Sequence, residues 1–476
     1  MAHGGASTGT SLAPPLAMGV RVNLSVMMFL QYAMWGSWFV VLGVYLDKGL
    51  HFEGPQIGWI YSTMALGTIF APLFIGQIAD RYFSSEKLMA ILHLAGAGLL
   101  YAMAKVTDVN LLFLVALLYA LVYSPTLVLS NSITFTHVPD GARDFPSIRV
   151  FGTIGWIAAN LLVDFALPRV DGHPASETNL PLLLAAGFSA LLGVLSFALP
   201  HTPPAGKAGD AFPALRAVGL LRSPSFAVFF GVSFIITIVL AFYYSFTSIY
   251  LDSSTLPRIP EAQRLISFTL FGKPIAFTLG AASVMTIGQI AEMVLLPLLP
   301  WFLRHLGMKW VLALGMLSWG VRYYLFAVGA QGLVSPWVVI ASLALHGVCF
   351  DFFFAAGFIH VDNEAPPSIR ASGQALFTFL TYGVGMWLGN VVSGYVVDFY
   401  STGPAASPVR DWYHIWLVPS IGVLASLVIF VLFFHIHPRQ TAPADAWKPS
   451  PGEGGTDIVS AEHRTHIESG EAGVDL

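Results

Sequence analysis

Charge is scarce in this chain. Its 476 residues include 22 Lys or Arg and 26 Asp or Glu, so only 10% are charged, against about 25% in soluble domains. That shortage excludes an ordinary soluble enzyme. Cysteine is scarcer still. Cys349 is the single one, which excludes an intramolecular disulfide and a cysteine metal cluster. The signs nearly balance at a net −4, leaving no basic patch for nucleic acid. The apolar runs contain no His-Glu-x-x-His, no Cys-His cluster and no Gly-x-Ser-x-Gly elbow. No enzyme chemistry is legible in them, and neither cofactor nor metal is expected. The opening "MAHGGASTGTSLAPPLAMGV" lacks the charged n-region of a secretory signal and reads as a floppy lead.

What is present is hydrophobicity: 56% of residues, with a mean hydropathy of +0.72. Apolar runs near the length of a membrane span recur along the chain. They are too long for a membrane β-barrel, whose strands alternate over about 10 residues. The runs predict an all-α membrane protein with twelve spans. Their limits are 24–46, 57–79, 88–106, 111–132, 147–168, 180–199, 224–251, 277–303, 308–329, 335–359, 370–398 and 412–436. The longest polar break, 200–223, separates six spans from six. The expected organisation is a disordered lead over 1–23, a six-helix half over 24–199 and a cytoplasmic linker over 200–223. A second half follows over 224–436, then a Pro-, Gly- and charge-rich disordered tail over 437–476. Lys and Arg concentrate in the loops on the side of both termini, among them Arg21, Arg81, Lys87, Arg143, Lys207 and Arg216. That bias predicts both termini in the cytoplasm.

Of the charges within these spans, four are informative: Arg149 in span 5, Glu292 in span 8, Arg322 in span 9 and Asp351 in span 10. An acidic residue at mid-bilayer costs roughly 2.5–3.5 kcal/mol on insertion scales, so such residues face a bundle interior or a cavity. Two acids and two bases suit mutual pairing. Gln289 precedes Glu292 by three residues, and the pair shares one helical face suited to a polar ligand. Arg149, Thr153 and Trp156, at i, i+4 and i+7, present a cation, a hydroxyl and a ring along one stripe. Aromatic residues crowd span 7 and the surroundings of Asp351. Tyr244 and Phe350 are the candidates among them for touching a ligand, the rest being packing or interfacial rings. Gln31 and Trp35 share a face of span 1 and are candidate cavity residues. His93 and His346 lack spaced metal partners and read as hydrogen-bonded packing residues.

"GQIADR", at 76–81, fits G-x-x-x-D-R between spans 2 and 3. Asp80 and Arg81 are placed there to lock neighbouring helices. The motif resembles the loop signature of the major facilitator superfamily. A weak repeat agrees: a basic turn and an apolar helix occur at 79–101 and again at 302–324, each after the second span of its half. Parallel six-helix halves leave such a trace.

With these residues in hand, the chain resembles the nucleoside:H⁺ symporter family of that superfamily, the bacterial nucleoside permeases. The resemblance rests on "QYAMWGSW", "FPSIRVFGTIGW", "IGQIAE", "CFDFFF" and "PPSIRASGQALF", in order from about 24 to 436. It implies the major facilitator fold and a nucleoside site between the halves. Arg149, Thr153 and Trp156 match the family's motif in the first half. Gln289, Glu292, Phe350 and Asp351 match it in the second. Ala241 and Tyr244 stand where characterised permeases carry Gln and Asn. The implied function is proton-coupled import of nucleosides across the inner (cytoplasmic) membrane by alternating access, by a multi-pass monomer in the lipid bilayer. Ribose contact is assigned to Glu292 first and proton carriage to Asp351 first. Arg322 is assigned a gating or structural role. From the residues alone, rings for stacking and carboxylates for hydroxyls also suit a proton-coupled sugar or glycoside symporter.

Overall fold

The computed structural model describes residues 15–71, 83–204, 213–270 and 273–435. "GQIADR" with Asp80 and Arg81, the expected tail, residues 1–14 of the lead and 205–212 of the linker lie outside them. A chain segment in hydrocarbon must satisfy its backbone internally, and helices do so. The helices are α1 (Met18–Gly49), α2 (Gly54–Ala71), α3 (Ser85–Met103), α4 (Val109–His137), α5 (Gly141–Phe165) and α6 (Leu180–Ser196). They continue as α7 (Pro224–Arg258), α8 (Ala281–Leu295), α9 (Leu299–Ala330), α10 (Pro336–Glu364), α11 (Pro367–Phe399) and α12 (Trp412–Phe433). Each expected span has one of these helices over it. Among the described residues nine stretches are long and apolar enough to cross a membrane. One of them, Ala281–Ala330, holds both α8 and α9, while α6 is shorter.

Local chemistry sets several boundaries. Asp108, Asp140 and Asp411 each accept a backbone N–H of the first turn of α4, α5 and α12, satisfying donors that the helix start leaves unpaired. Pro224 and Pro336 open α7 and α10, where a missing N–H costs nothing. α1 begins at Met18 rather than near 24, because Arg21 is tied to Asp144 at 2.7 Å and to Ser147 at 2.8 Å on α5. Within α9, Gly307 has φ of 75°, a left-handed value that only glycine adopts freely. The kink falls between the expected limits of spans 8 and 9. Two features lie outside the helical reading. Strands β1 (Leu265–Leu270) and β2 (Lys273–Thr278) form an antiparallel hairpin between α7 and α8. Strands β3 (Ser401–Thr402) and β4 (Val409–Arg410) form a shorter one before α12. Both segments are too short or too polar to register as spans.

The packing order reveals the two halves. In the first, α1 packs on α5 and α6, α3 on α4 and α6, and α2 on α4. In the second, α7 packs on α11 and α12, α9 on α10 and α12, and α8 on α10. Adding six to each helix number turns one set into the other, so the weak sequence repeat is a structural repeat. The main contacts across the halves, α2 with α11 and α5 with α8, obey the same rule.

Those contacts are tightest on the face where α1 ends and α2 begins, called here the far face. A Cβ on Gly58 would meet the Asn390 carbonyl oxygen at 2.3 Å, and one on Gly394 would meet that of Gly54 at 2.4 Å. Charges add to the closure. Lys48 bonds to Glu177 at 3.2 Å and to Asp252 on α7. Arg410 grips Asp47 in a buried bidentate pair. The Asp164 carboxylate at the end of α5 accepts the backbone N–H of Ser283 at 2.6 Å, capping α8 across the halves. On the opposite, near face the pairs Arg21–Asp144, Glu86–His201 and Asp362–Arg370 each stay within one half.

Candidate functional site

Between the halves, α1 and α5 face α7, α8, α10 and α11. Arg149, about two turns inside α5, is half-buried, with its guanidinium 4.2 Å over the Tyr32 ring of α1. A cation over an aromatic face is attracted by the ring quadrupole, which holds the fork without consuming its donors. Thr153 and Trp156 follow on the same helix. Trp156 is nearly buried and meets Trp35 edge-on at 5.2 Å. Trp35 also borders Phe39 at 5.5 Å and Tyr123 at 5.8 Å. Phe39 then meets Tyr244 of α7 at 5.7 Å, closing an aromatic bridge between the halves. Two indole N–H groups, on Trp35 and Trp156, are enclosed without a partner among the described residues. Unpaired buried donors are costly, so this wall is built to receive acceptors.

The opposite wall carries the acids. Glu292 and Gln289 are half-buried on α8. Asp351 is 1% exposed, its Oδ2 lacks a hydrogen-bond partner among the described residues, and it opens a π-type turn, Asp351–Ala355, inside α10. Such wide turns recur at functional sites. The Arg149 charge acts on Glu292 from across the halves. Glu292 in turn acts on Asp351, Tyr243, Tyr244 and Tyr382. Phe350, half-buried, lies 5.4 Å from Phe354, which borders Tyr382 at the same separation. Arg149, Glu292, Asp351, Tyr244 and Phe350 thus converge on one region.

Two expectations are corrected. The four intramembrane charges do not pair with one another: among the described residues none makes an ion pair with a carboxylate or a cation. Arg149 lies on Tyr32 instead. Arg322, fully buried, sits 4.3 Å from the Tyr243 ring, 4.7 Å from Trp319 and 5.1 Å from Tyr323, and bonds to His346 at 3.0 Å. Gln31 does not line a cavity. It is fully buried and spent on Thr126 at 2.8 Å and on His93 at 2.8 Å. His93, held by Gln31, is a hydrogen-bonded packing residue as expected. Ala241 is buried against Gly389 of α11, so Tyr244 alone of that pair points toward the acids.

Sequence reasoning passed over Tyr32, Phe39 and Tyr382. Tyr32 could have been found, since it lies three residues before Trp35 on one helical face. Tyr382 could not, because a tyrosine in an aromatic-rich span carries no distinguishing pattern.

Three comparisons bear on this arrangement. The sequence profile described as Nucleoside H⁺ symporter matches residues 18–439. The putative nucleoside transporter YegT of Escherichia coli (strain K12) is 38% identical over 424 residues, covering 88% of this chain and 94% of that protein. The xanthosine permease of the same organism is 34% identical over 425 residues, covering 88% and 96%. A crystal structure of the nucleoside transporter NupG superposes with a TM-score of 0.75 at 30% identity, over 88% of this chain and all of that one. These relatives are transporters rather than enzymes. With its helices arranged as two packed repeats of the major facilitator kind, the chain is a multi-pass membrane protein that belongs to the nucleoside H⁺ symporter family.

Proposed function

We propose that the protein imports nucleosides across the cytoplasmic membrane together with protons, as a monomer working by alternating access. The observation that carries this reading is the opposition of Arg149 on one half to Glu292 and Asp351 on the other. A site split between halves is made and broken as they rock. The base stacks against the Trp35–Trp156–Phe39–Tyr244 wall. Arg149 and Thr153 hold it from α5, while Gln289 and Glu292 receive the ribose hydroxyls, which need acceptors. Phe350 borders the same space. Asp351, the more enclosed acid, takes the proton first, and Glu292 is the alternative carrier. Asp80 and Arg81 are assigned to near-face locking.

Both termini lie in the cytoplasm, the far face is external, and the halves over 24–199 and 224–436 move about the linker over 200–223. Closure at the far face, by Lys48 on Asp252, Asp164 on Ser283 and Arg410 on Asp47, supports a state that opens inward. All twelve helices span the bilayer. The decisive experiment is uptake into liposomes by the purified protein. Labelled uridine, adenosine and xanthosine should accumulate when the outside is acidified, and a panel of disaccharides should not. Accumulation of a disaccharide alone would replace this reading with the sugar symporter, and uptake indifferent to the proton gradient would remove the coupling.

A further inference from the structure

Arg322 is a whole positive charge inside the second half that, among the described residues, makes no ion pair with a carboxylate. Its surroundings are three aromatic faces, the Tyr323 hydroxyl at 3.4 Å and the Nδ1 of His346 at 3.0 Å. A guanidinium has only donors. Two donors do not meet at that distance, so Nδ1 of His346 carries a lone pair and the ring proton sits on Nε2. Which ring nitrogen of a histidine carries the proton is set by the hydrogen bond the other one makes; here the buried arginine sets it.

The ring is also fixed in place. It stacks on Tyr243 at 4.9 Å and 18°, and borders Phe350 at 5.7 Å. Its Cδ2 edge, which leads to Nε2, lies 3.3 Å from where a Cβ on Gly288 would be. Gly288 is next to Gln289 and one helical turn from Glu292, on the same face. Gly347 closes on the backbone of Ala291 and Glu292. Among the described residues the hydrogen bond His346 makes is the one at Nδ1, and none is seen at Nε2. A tautomer-locked donor therefore borders the acids on α8.

We propose that His346 is a specificity-determining residue. Its Nε2–H donates to an acceptor on the flat base of the substrate, a carbonyl oxygen or a ring nitrogen. Arg322 is the positioning residue that keeps the proton there. The inference rests on the nucleoside reading. The base is the partner because the neighbours of His346 are rings, Tyr243 and Phe350, whereas the carboxylates already suit ribose hydroxyls.

The test is equilibrium binding to the purified full chain. The probes are uridine with pyrimidin-2-one riboside, which lacks the 4-oxygen, and adenosine with its 3-deaza and 7-deaza analogues. The wild type should bind at least one intact nucleoside about tenfold tighter than its acceptor-deleted analogue, the worth of one hydrogen bond. His346→Phe should lose that tenfold and bind the pair alike. His346→Gln, whose amide N–H reaches near the Nε2 position, should keep the discrimination. His346→Asn, which mimics Nδ1 instead, should lose it and serves where the phenylalanine variant does not fold. Arg322→Met should reduce discrimination beside His346 but change nothing in a His346→Gln background. Discrimination retained in both His346→Phe and His346→Asn, or absent from the wild type for every pair, overturns the role of His346. An equal Arg322→Met effect in both backgrounds overturns the positioning role. A wild type that binds none of the nucleosides overturns the nucleoside reading first, and this inference with it.

Discussion

Glu292 and Asp351 are both acids in a membrane, yet their neighbours differ. Glu292 has Gln289 on its face, Arg149 across the halves and partial exposure. Asp351 has phenylalanines around it and an oxygen without a partner. A group that must be neutral in one state and charged in another is served by the second setting, a ligand contact by the first. Asp351→Asn should therefore bind and exchange nucleoside normally while losing uphill accumulation in an imposed pH gradient. Glu292→Gln should lose binding itself. Counterflow and gradient-driven uptake, measured side by side, separate the two, and the reverse pattern would swap the roles. Arg149 argues differently. Its charge would survive in Arg149→Lys, but the planar fork over Tyr32 would not. Affinity should fall by about tenfold or more, the worth of a lost charge-assisted hydrogen bond. Near-normal affinity in a binding titration would show that charge alone suffices.

At the scale of elements, two close approaches govern the far face. α2 and α11 meet through Gly54, Gly58 and Gly394, at separations that leave no room for a side chain. Gly58→Val places two methyl groups against the Asn390 backbone. The far face should then stay open: transport should vanish while labelling of a far-face cysteine from outside rises. Normal uptake by that variant would mean that α2 and α11 need not close. α5 and α8 are joined by a cap, the Asp164 carboxylate on the Ser283 N–H. Caps are worth about 1 kcal/mol, and this one reaches across the halves on the helices that carry Arg149 and Glu292. Asp164→Ala should shift the equilibrium about fivefold toward the far-face-open state, a factor set by that energy. The rate of labelling at an introduced Ala282→Cys, in a Cys349→Ala background, reads the shift; an unchanged rate would mean the cap opens freely.

The whole molecule holds its far face with charges and its near face without them among the described cross-half contacts. Lys48 joins the loop before α6 and the end of α7, while Arg410 joins the loop before α12 to the end of α1. The Lys48–Asp252 and Asp47–Arg410 pairs cross the halves and break when they separate, whereas Lys48–Glu177 lies within the first half. Partly exposed pairs such as those of Lys48 are screened by salt, whereas the buried Asp47–Arg410 pair is screened little. Lys48→Gln should therefore raise far-face labelling at low ionic strength and lose its effect in molar salt. Arg410→Gln should act at both, because it leaves Asp47 buried and unpaired. Equal salt sensitivity of the two variants would show that burial does not divide their roles.

Much of this was legible in the chain. Twelve apolar runs predicted where helices lie because hydrocarbon forces the backbone to bond to itself. Arg149, Glu292, Asp351 and Arg322 were visible because a charge in an apolar run stands out against a strong background. The partners of those charges were not visible. Opposite signs suggested pairing, but Arg322 found three rings and a histidine, and Arg149 found Tyr32. A ring that binds a cation looks, in sequence, like any other ring. The far-face closure was equally hidden: Lys48 and Asp252 lie at the ends of α1 and α7, far apart along the chain, and only the juxtaposition of the halves brings them together. The sequence by itself determined the solvent, the helices and which residues are too costly to be incidental, since burial energies are local and large. The tertiary structure alone decided what each of those residues touches, because a side chain's partner is set by packing between helices far apart along the chain.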